Sequence, residues 1–230
     1  MFYKRVQAFG DSFTAGTELA DGPIGEQTDD QVHSVYTWPA LIAKAWNIEY
    51  RCNATGGIGN QRISHKVFER YLISGNLNQS FYIINWTWFE RFDYVDSEQN
   101  TWQTLHPRHT GDLEHFFYKH IDSDLWNMIR NLQIIHSTIK FLEDNRVDFV
   151  MTCLDPQIFT RDRPEEFNKI ISPLQNAVYP YFVNFDNMTF LEWSNKNKFS
   201  CGPGGHPLEE AHKEAAKIIE PTVKSRTTIQ

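Results

Sequence analysis

Ser12 stands in Gly10-Asp11-Ser12-Phe13-Thr14-Ala15-Gly16, directly behind an apolar run that begins almost at the first residue. A serine placed where a short strand ends and a Gly-flanked turn begins is held out on a tight loop, where a nucleophilic hydroxyl has to be. The stretch departs from the G-x-S-x-G nucleophile elbow, because Thr14 occupies the place of its second glycine. Asp-Ser after Gly equally suits a plain turn or a helix N-cap, so the tripeptide alone leaves both readings open. A serine hydroxyl at neutral pH needs a neighbouring base, usually histidine. Of the 9 histidines, His206 sits in Gly204-Gly205-His206-Pro207, a tight loop just ahead of a helix, whereas His212 falls inside that helix and reads as a packing or surface residue.

The elements that must position these groups follow from hydrophobic periodicity. Strands are expected at Phe2 to Phe9, Ile48 to Cys52, Phe81 to Ile84 and Val147 to Leu154, with Tyr181 to Phe185 as a last one. Helices are expected at Tyr36 to Trp46, from Ile63 to Tyr71, as one long element from Phe117 to Asn145, at Glu165 to Ala177, and from Pro207 onward. Residues 94–115 are polar and read as an inserted excursion without regular structure. Alternating strands and helices predict an α/β sandwich with a mainly parallel sheet, and one domain spanning residues 1–230. Ligands collect at the carboxyl ends of such strands. Ser12, the Gly-rich loop Asn53 to Asn60, the segment Asn85-Trp86-Thr87-Trp88 and Asp155 all follow strand ends.

Composition bounds the partners. The 230 residues carry a net charge of −7 without a Lys/Arg cluster, which argues against nucleic acid. The apolar runs fall short of the roughly 18 residues a membrane span needs, and the first strand leaves no room for a leader, so a soluble, cytoplasmic protein is expected. Cys52, Cys153 and Cys201 lack metal or disulfide spacing. His106, His109, His115 and His120 crowd the excursion, read as a solvated polar loop in preference to a metal site, and no cofactor is expected. Glu90, Arg91 and Asp93 form a mixed charge cluster, read as a surface ion pair or, at Arg91, a hold on a substrate carboxylate or sugar hydroxyl. Aromatics make up 14% of the chain, many of them in polar segments where they line a groove or cover a core edge.

Gly10 to Gly16 resembles the first sequence block of the SGNH (GDSL-type) hydrolases. Gly57-Ile58-Gly59-Asn60-Gln61-Arg62-Ile63 is similar to their second block, and Gly205-His206-Pro207 resembles their last. The resemblance implies a flavodoxin-like three-layer sandwich in which Ser12 attacks an ester carbonyl and His206 takes its proton. It implies too that the backbone N–H groups of Ser12 and Gly57 face the developing oxyanion. Two departures stand out. The third block is Gly-x-Asn-Asp in the family, and Thr87 falls in the register of the asparagine here, with Asn85 able to substitute only in a shifted loop. The family's Asp-x-x-His has Pro203 in place of the aspartate, so His206 must be oriented by a backbone carbonyl or a distant carboxylate such as Asp155, itself also readable as a turn residue. Asp11, Asn60 and Asn85 are further candidates for supporting roles. The resulting expectation is a serine esterase working through an acyl-enzyme with a Ser-His dyad, on a small-molecule or carbohydrate ester such as an O-acetyl group. A catalytically silent carbohydrate-binding or structural module and an O-acyltransferase are the alternatives.

Overall fold

The computed structural model describes residues 3–23, 32–74, 79–159 and 164–226. Along the chain, β1 (Arg5–Phe9) leads into a one-turn helix α1 (Ser12–Ala15), and α2 (Trp38–Ala45) returns to β2 (Glu49–Cys52). Next come α3 (Asn60–Ser74), β3 (Ser80–Trp86), the strands β4 (Phe92–Asp96) and β5 (Thr101–Leu105), and the helices α4 (Asp112–His120) and α5 (Asp124–Asp144). The chain closes with β6 (Asp148–Cys153), α6 (Glu165–Val178), α7 (Phe190–Lys196) and α8 (Glu209–Arg226). Phe2, expected in the first strand, lies outside the described residues.

Four strands form a parallel sheet in the order β2-β1-β3-β6. β3 is buried along its whole length, and its side chains alternate between two apolar cores. Phe81 and Ile83 pack with Trp38, Ile42, Ala215 and Ile219 beneath α2 and α8. Tyr82, Ile84 and Trp86 pack with Ile63, Leu132 and Ile139 beneath α3 and α5. The molecule is therefore an α/β three-layer sandwich. Because β1 is followed by β2 on one side and by β3 on the other, the topology switches at the carboxyl end of β1, where open sheets place their ligands. No helix among the described residues is long and apolar enough to cross a membrane.

Three expectations are corrected. The single long helix divides into α4 and α5, because the Ser123 side chain accepts from Trp126 N–H and caps a new helix. The excursion contains regular structure: β4 and β5 pair antiparallel, and their turn is held by Asp96, whose carboxylate accepts from Glu98 and Gln99 N–H. The last strand shrinks to one parallel bridge, Met151 to Phe182, because residues 179–181 coil into a 3₁₀ turn around Pro180.

His212 joins α8 to α2. Its ring is buried, and Nδ1 accepts from the Trp38 N–H at the buried start of α2, 3.1 Å away, where the helix itself offers no carbonyl. Burial first, then the neighbouring His206, push its pKa down to about 3. A histidine that resists protonation when folded stabilises the protein fully above its unfolded pKa of about 6.5, and that stability drains away as pH falls below it. Stability between pH 6.5 and 4.5 is thus expected to fall by up to about 1.4 kcal/mol per unit from this group. Urea denaturation should show a shallower slope for His212→Asn, which keeps an acceptor near Nδ1 but does not titrate; an unchanged slope would refute the assignment.

Candidate functional site

β1 delivers Asp11 to the N-cap of α1, where its Oδ1 accepts from Phe13 N–H at 3.1 Å. Ser12 is the first residue of that helix, so its own N–H has no carbonyl partner within it. Gly16, in the left-handed region at φ 81, ends the helix after one turn. The chain then doubles back through Glu18, itself left-handed at φ 72, beneath the loop that carries His206.

That loop is closed by a bridge between Cys201 and Pro207 and by Gly202 N–H donating to the His206 carbonyl at 2.9 Å. It sets His206 Nε2 2.9 Å from Ser12 Oγ, with the imidazole packed against the Phe13 ring. On the other side, His206 Nδ1 lies 2.8 Å from Glu18 Oε2. A carboxylate can only accept, so Nδ1 carries the proton and Nε2 of the neutral ring presents its lone pair to the Ser12 hydroxyl. Glu18 also accepts from Gly204 N–H at 2.6 Å and from His206 N–H at 3.2 Å. Burial alone would raise its pKa, but these bonds, from Gly204 foremost, outweigh it and hold the carboxyl below its ordinary value.

The structure thus brings Ser12 and His206 together and adds Glu18, which sequence reasoning missed. No spacing rule points to it, since it lies just past the first block and 188 residues from His206. The one available signal was the stripped loop Gly202-Pro203-Gly204. A Cβ on Gly202 would stand 2.6 Å from the Glu18 carboxyl carbon, so only glycine leaves room for it. Asp155 is not the orienting group: its Oδ2 accepts from Phe89 N–H and its Oδ1 from Gln157 N–H, so it serves as the turn residue at the end of β6. Ser12, His206 and Glu18 therefore form one continuous hydrogen-bonded chain.

The second block is tied to the start of α1 through Arg91, which bridges Asp11 and the Ile58 carbonyl. Gly57 takes φ 76, a left-handed conformation that favours glycine, and a Cβ there would meet nothing closer than His106 Nε2 at 3.5 Å. The third block differs from expectation. The Thr87 hydroxyl donates to Asp11 Oδ2 at 2.7 Å, and the residue is fully buried, so its single proton is not available to an oxyanion. Asn85 is buried too, donating to Thr14 Oγ1 and accepting from Thr152. Asn60 accepts from Thr87 N–H at 2.7 Å and donates to Thr87 O and Asn131 Oδ1, locking the second block to the third. Arg91 is not a surface ion pair. It is 10% exposed, and its Nη1 donates to Asp11 Oδ2 at 2.9 Å and to Ile58 O at 3.0 Å. Among the described residues no group of three His, Cys, Asp or Glu is placed to hold a metal ion.

No protein-family model matches the sequence, and no curated protein matches it. Solved structures do share its fold. A lipolytic protein of the G-D-S-L family from Veillonella parvula aligns over 94% of this chain and 95% of its own at 11% identity, with a TM-score of 0.51. Psychrotrophic esterase EstA from Pseudoalteromonas sp., inhibited by monoethylphosphonate, aligns over 96% and 97% at 9% identity and a TM-score of 0.53. A carbohydrate esterase family 2 enzyme with its carbohydrate binding domain from Corynascus thermopiles aligns over 97% of this chain and 66% of its own at 14% identity and a TM-score of 0.55. This chain has the SGNH hydrolase fold.

A Cβ on Gly202 would stand 2.6 Å from the Glu18 carboxyl and 2.9 Å from the Glu18 Cβ, so Gly202→Ala is expected to expel the carboxylate and displace the backbone that carries it. Proton NMR should then lose the downfield His206 Nδ1–H signal, as it should in Glu18→Gln, with stability lowered by about 1–3 kcal/mol. A retained signal in Gly202→Ala would contradict this packing.

Proposed function

We propose that this chain is a serine esterase of the SGNH type. The observation that carries the reading is the continuous relay from Ser12 Oγ through His206 to Glu18, which is what an activated hydroxyl requires. Ser12 Oγ attacks the ester carbonyl carbon as its proton passes to His206 Nε2, and Glu18 stabilises the imidazolium that forms. The negative charge on the carbonyl oxygen is received by the N–H groups of Ser12 and Gly57. When the tetrahedral species collapses, His206 returns the proton to the departing alkoxide and leaves an acyl-Ser12. Water then repeats the sequence from the other side, with His206 first as base and then as acid, releasing the carboxylic acid and restoring the hydroxyl. The reaction needs no cofactor.

A carbohydrate ester such as an O-acetyl group is the substrate class we favour, supported by the likeness to a carbohydrate esterase and by aromatic residues near the carboxyl edge. One observation favours the rival reading of a silent binding module: the third block supplies no side-chain donor, since the Thr87 proton goes to Asp11. The intact relay weighs against it.

A fluorophosphonate serine probe followed by intact-mass measurement separates the two. The wild type is expected to gain one adduct, Ser12→Ala none, and His206→Ala and Glu18→Gln to label slower by factors on the order of 10³. Folded wild type that takes up no adduct would favour the silent module.

A further inference from the structure

Three successive residues of the Gly-rich loop before α3 are each held by a side chain from the segment that follows β3. The Gly57 carbonyl lies 2.6 Å from His106 Nε2. The Ile58 carbonyl accepts from Arg91 Nη1, and the Gly59 N–H donates to Asp93 Oδ1 at 2.8 Å. Asp93 Oδ2 takes Arg62 N–H as well, capping the start of α3. The hairpin supporting these groups is itself fixed. Thr104, opposite Asp93 in the β4–β5 register, donates its hydroxyl to Asp93 Oδ1 at 2.6 Å. Trp102 packs against His65 of α3, and the Tyr118 hydroxyl donates to the Leu105 carbonyl immediately before His106.

The loop needs such support. Gly56-Gly57-Ile58-Gly59 contains three glycines, which hold no conformation by themselves and lose the most freedom when fixed. The Gly57 N–H and carbonyl lie in successive peptides joined at its Cα, so a carbonyl left unheld would free Gly57 to leave its left-handed φ of 76, and its N–H would lose its direction. We propose that His106 is a positioning residue for the oxyanion loop: by donating Nε2–H to the Gly57 carbonyl it holds that glycine in its left-handed conformation, so that Gly57 N–H is aimed before substrate arrives. This rests on the esterase reading of the site. A carbonyl only accepts, so Nε2 carries the proton whatever the charge of the ring. Burial, followed by the charge of Arg91, lowers the pKa of His106 and favours the neutral ring, which performs this task without adding a second cation next to Arg91. The contribution of the excursion is then to supply order that the second block lacks.

Three substitutions at His106 test this. His106→Gln places an amide donor where Nε2 lies, His106→Asn carries its donor too short, and His106→Phe fills the ring space without a donor. Labelling of Ser12 by the fluorophosphonate, and kcat on an aryl acetate, should fall about 10–100-fold in the Phe and Asn variants with KM within about twofold, and stay within about threefold of wild type in Gln. The shape of the pH–rate profile should be the same for Gln and wild type. Amide exchange across residues 55–62 should quicken in Phe and Asn but not in Gln, a readout that holds even if no ester is turned over. The proposal is overturned if Gln is as impaired as Phe, if Phe matches wild type, if the Gln variant loses a limb of the pH profile, or if exchange does not respond. Wild type that neither labels nor hydrolyses the ester, with the exchange pattern as expected, would instead remove the esterase reading and leave the clamp as a structural device.

Discussion

Asp11 is fully buried, and its carboxylate receives the Phe13 N–H, the Thr87 hydroxyl and the Arg91 guanidinium. A buried carboxylate without partners is untenable, and removing one partner of a buried pair typically costs about 3–5 kcal/mol. Each group that satisfies this charge comes from a different part of the site. Phe13 N–H belongs to the helix that begins with Ser12, Thr87 to the end of β3, and Arg91 to the segment that continues to the Ile58 carbonyl. Ser12, the third block and the Gly-rich loop before α3 therefore cannot shift independently, because each shift would leave the same negative charge short of a donor. Arg130 extends the arrangement by donating to the Phe89 and Arg91 carbonyls from α5, with its guanidinium over the Phe92 ring.

What could be read from the chain was whatever the local backbone dictates. The turn after β1, the left-handed Gly57 and the loop before α8 each need particular residues within a few positions, and periodicity placed β2, β3 and β6 to within two residues at each end, with β1 starting three residues later than expected. What escaped depends on partners distant in sequence. Thr87 has the chemistry of an oxyanion donor, but the direction of its hydroxyl is set by Asp11, 76 residues away. The β4–β5 hairpin hides in a polar stretch because part of what holds it, the Gly59 and Arg62 N–H groups that donate to Asp93 of β4, lies outside the hairpin. Ser123, by contrast, was a local helix start that the strong apolar period running through it obscured.

Glu18 illustrates the same division. A triad acid has to lie within hydrogen-bond reach of Nδ1 and be acceptor-only, and neither demand fixes its place in the chain. On the esterase reading it comes from the turn behind Ser12, so nucleophile and acid share one short segment and His206 alone arrives from far away. Pro203, where the family carries its aspartate, gives that loop a residue unable to donate, while the neighbouring Gly204 and His206 N–H groups are both directed at Glu18. The carboxylate thus orients the ring and also secures the loop on which the ring is mounted.

On the esterase reading, the inward turn of Thr87 leaves backbone amides as the oxyanion donors, and this changes what the fold must control. An asparagine side chain in that place carries its own rotamer preference, so packing around one residue sets its aim. A glycine amide has no such preference and takes its aim from the whole loop. Preorganised dipoles stabilise charge because they need no reorganisation when it appears, so a site with fewer donors depends more heavily on the rigidity of each. The bonds from His106, Arg91 and Asp93 to three consecutive loop residues supply that rigidity from outside the loop. On the esterase reading, the loss of a side-chain donor in the third block and the hairpin that follows it are two parts of one arrangement.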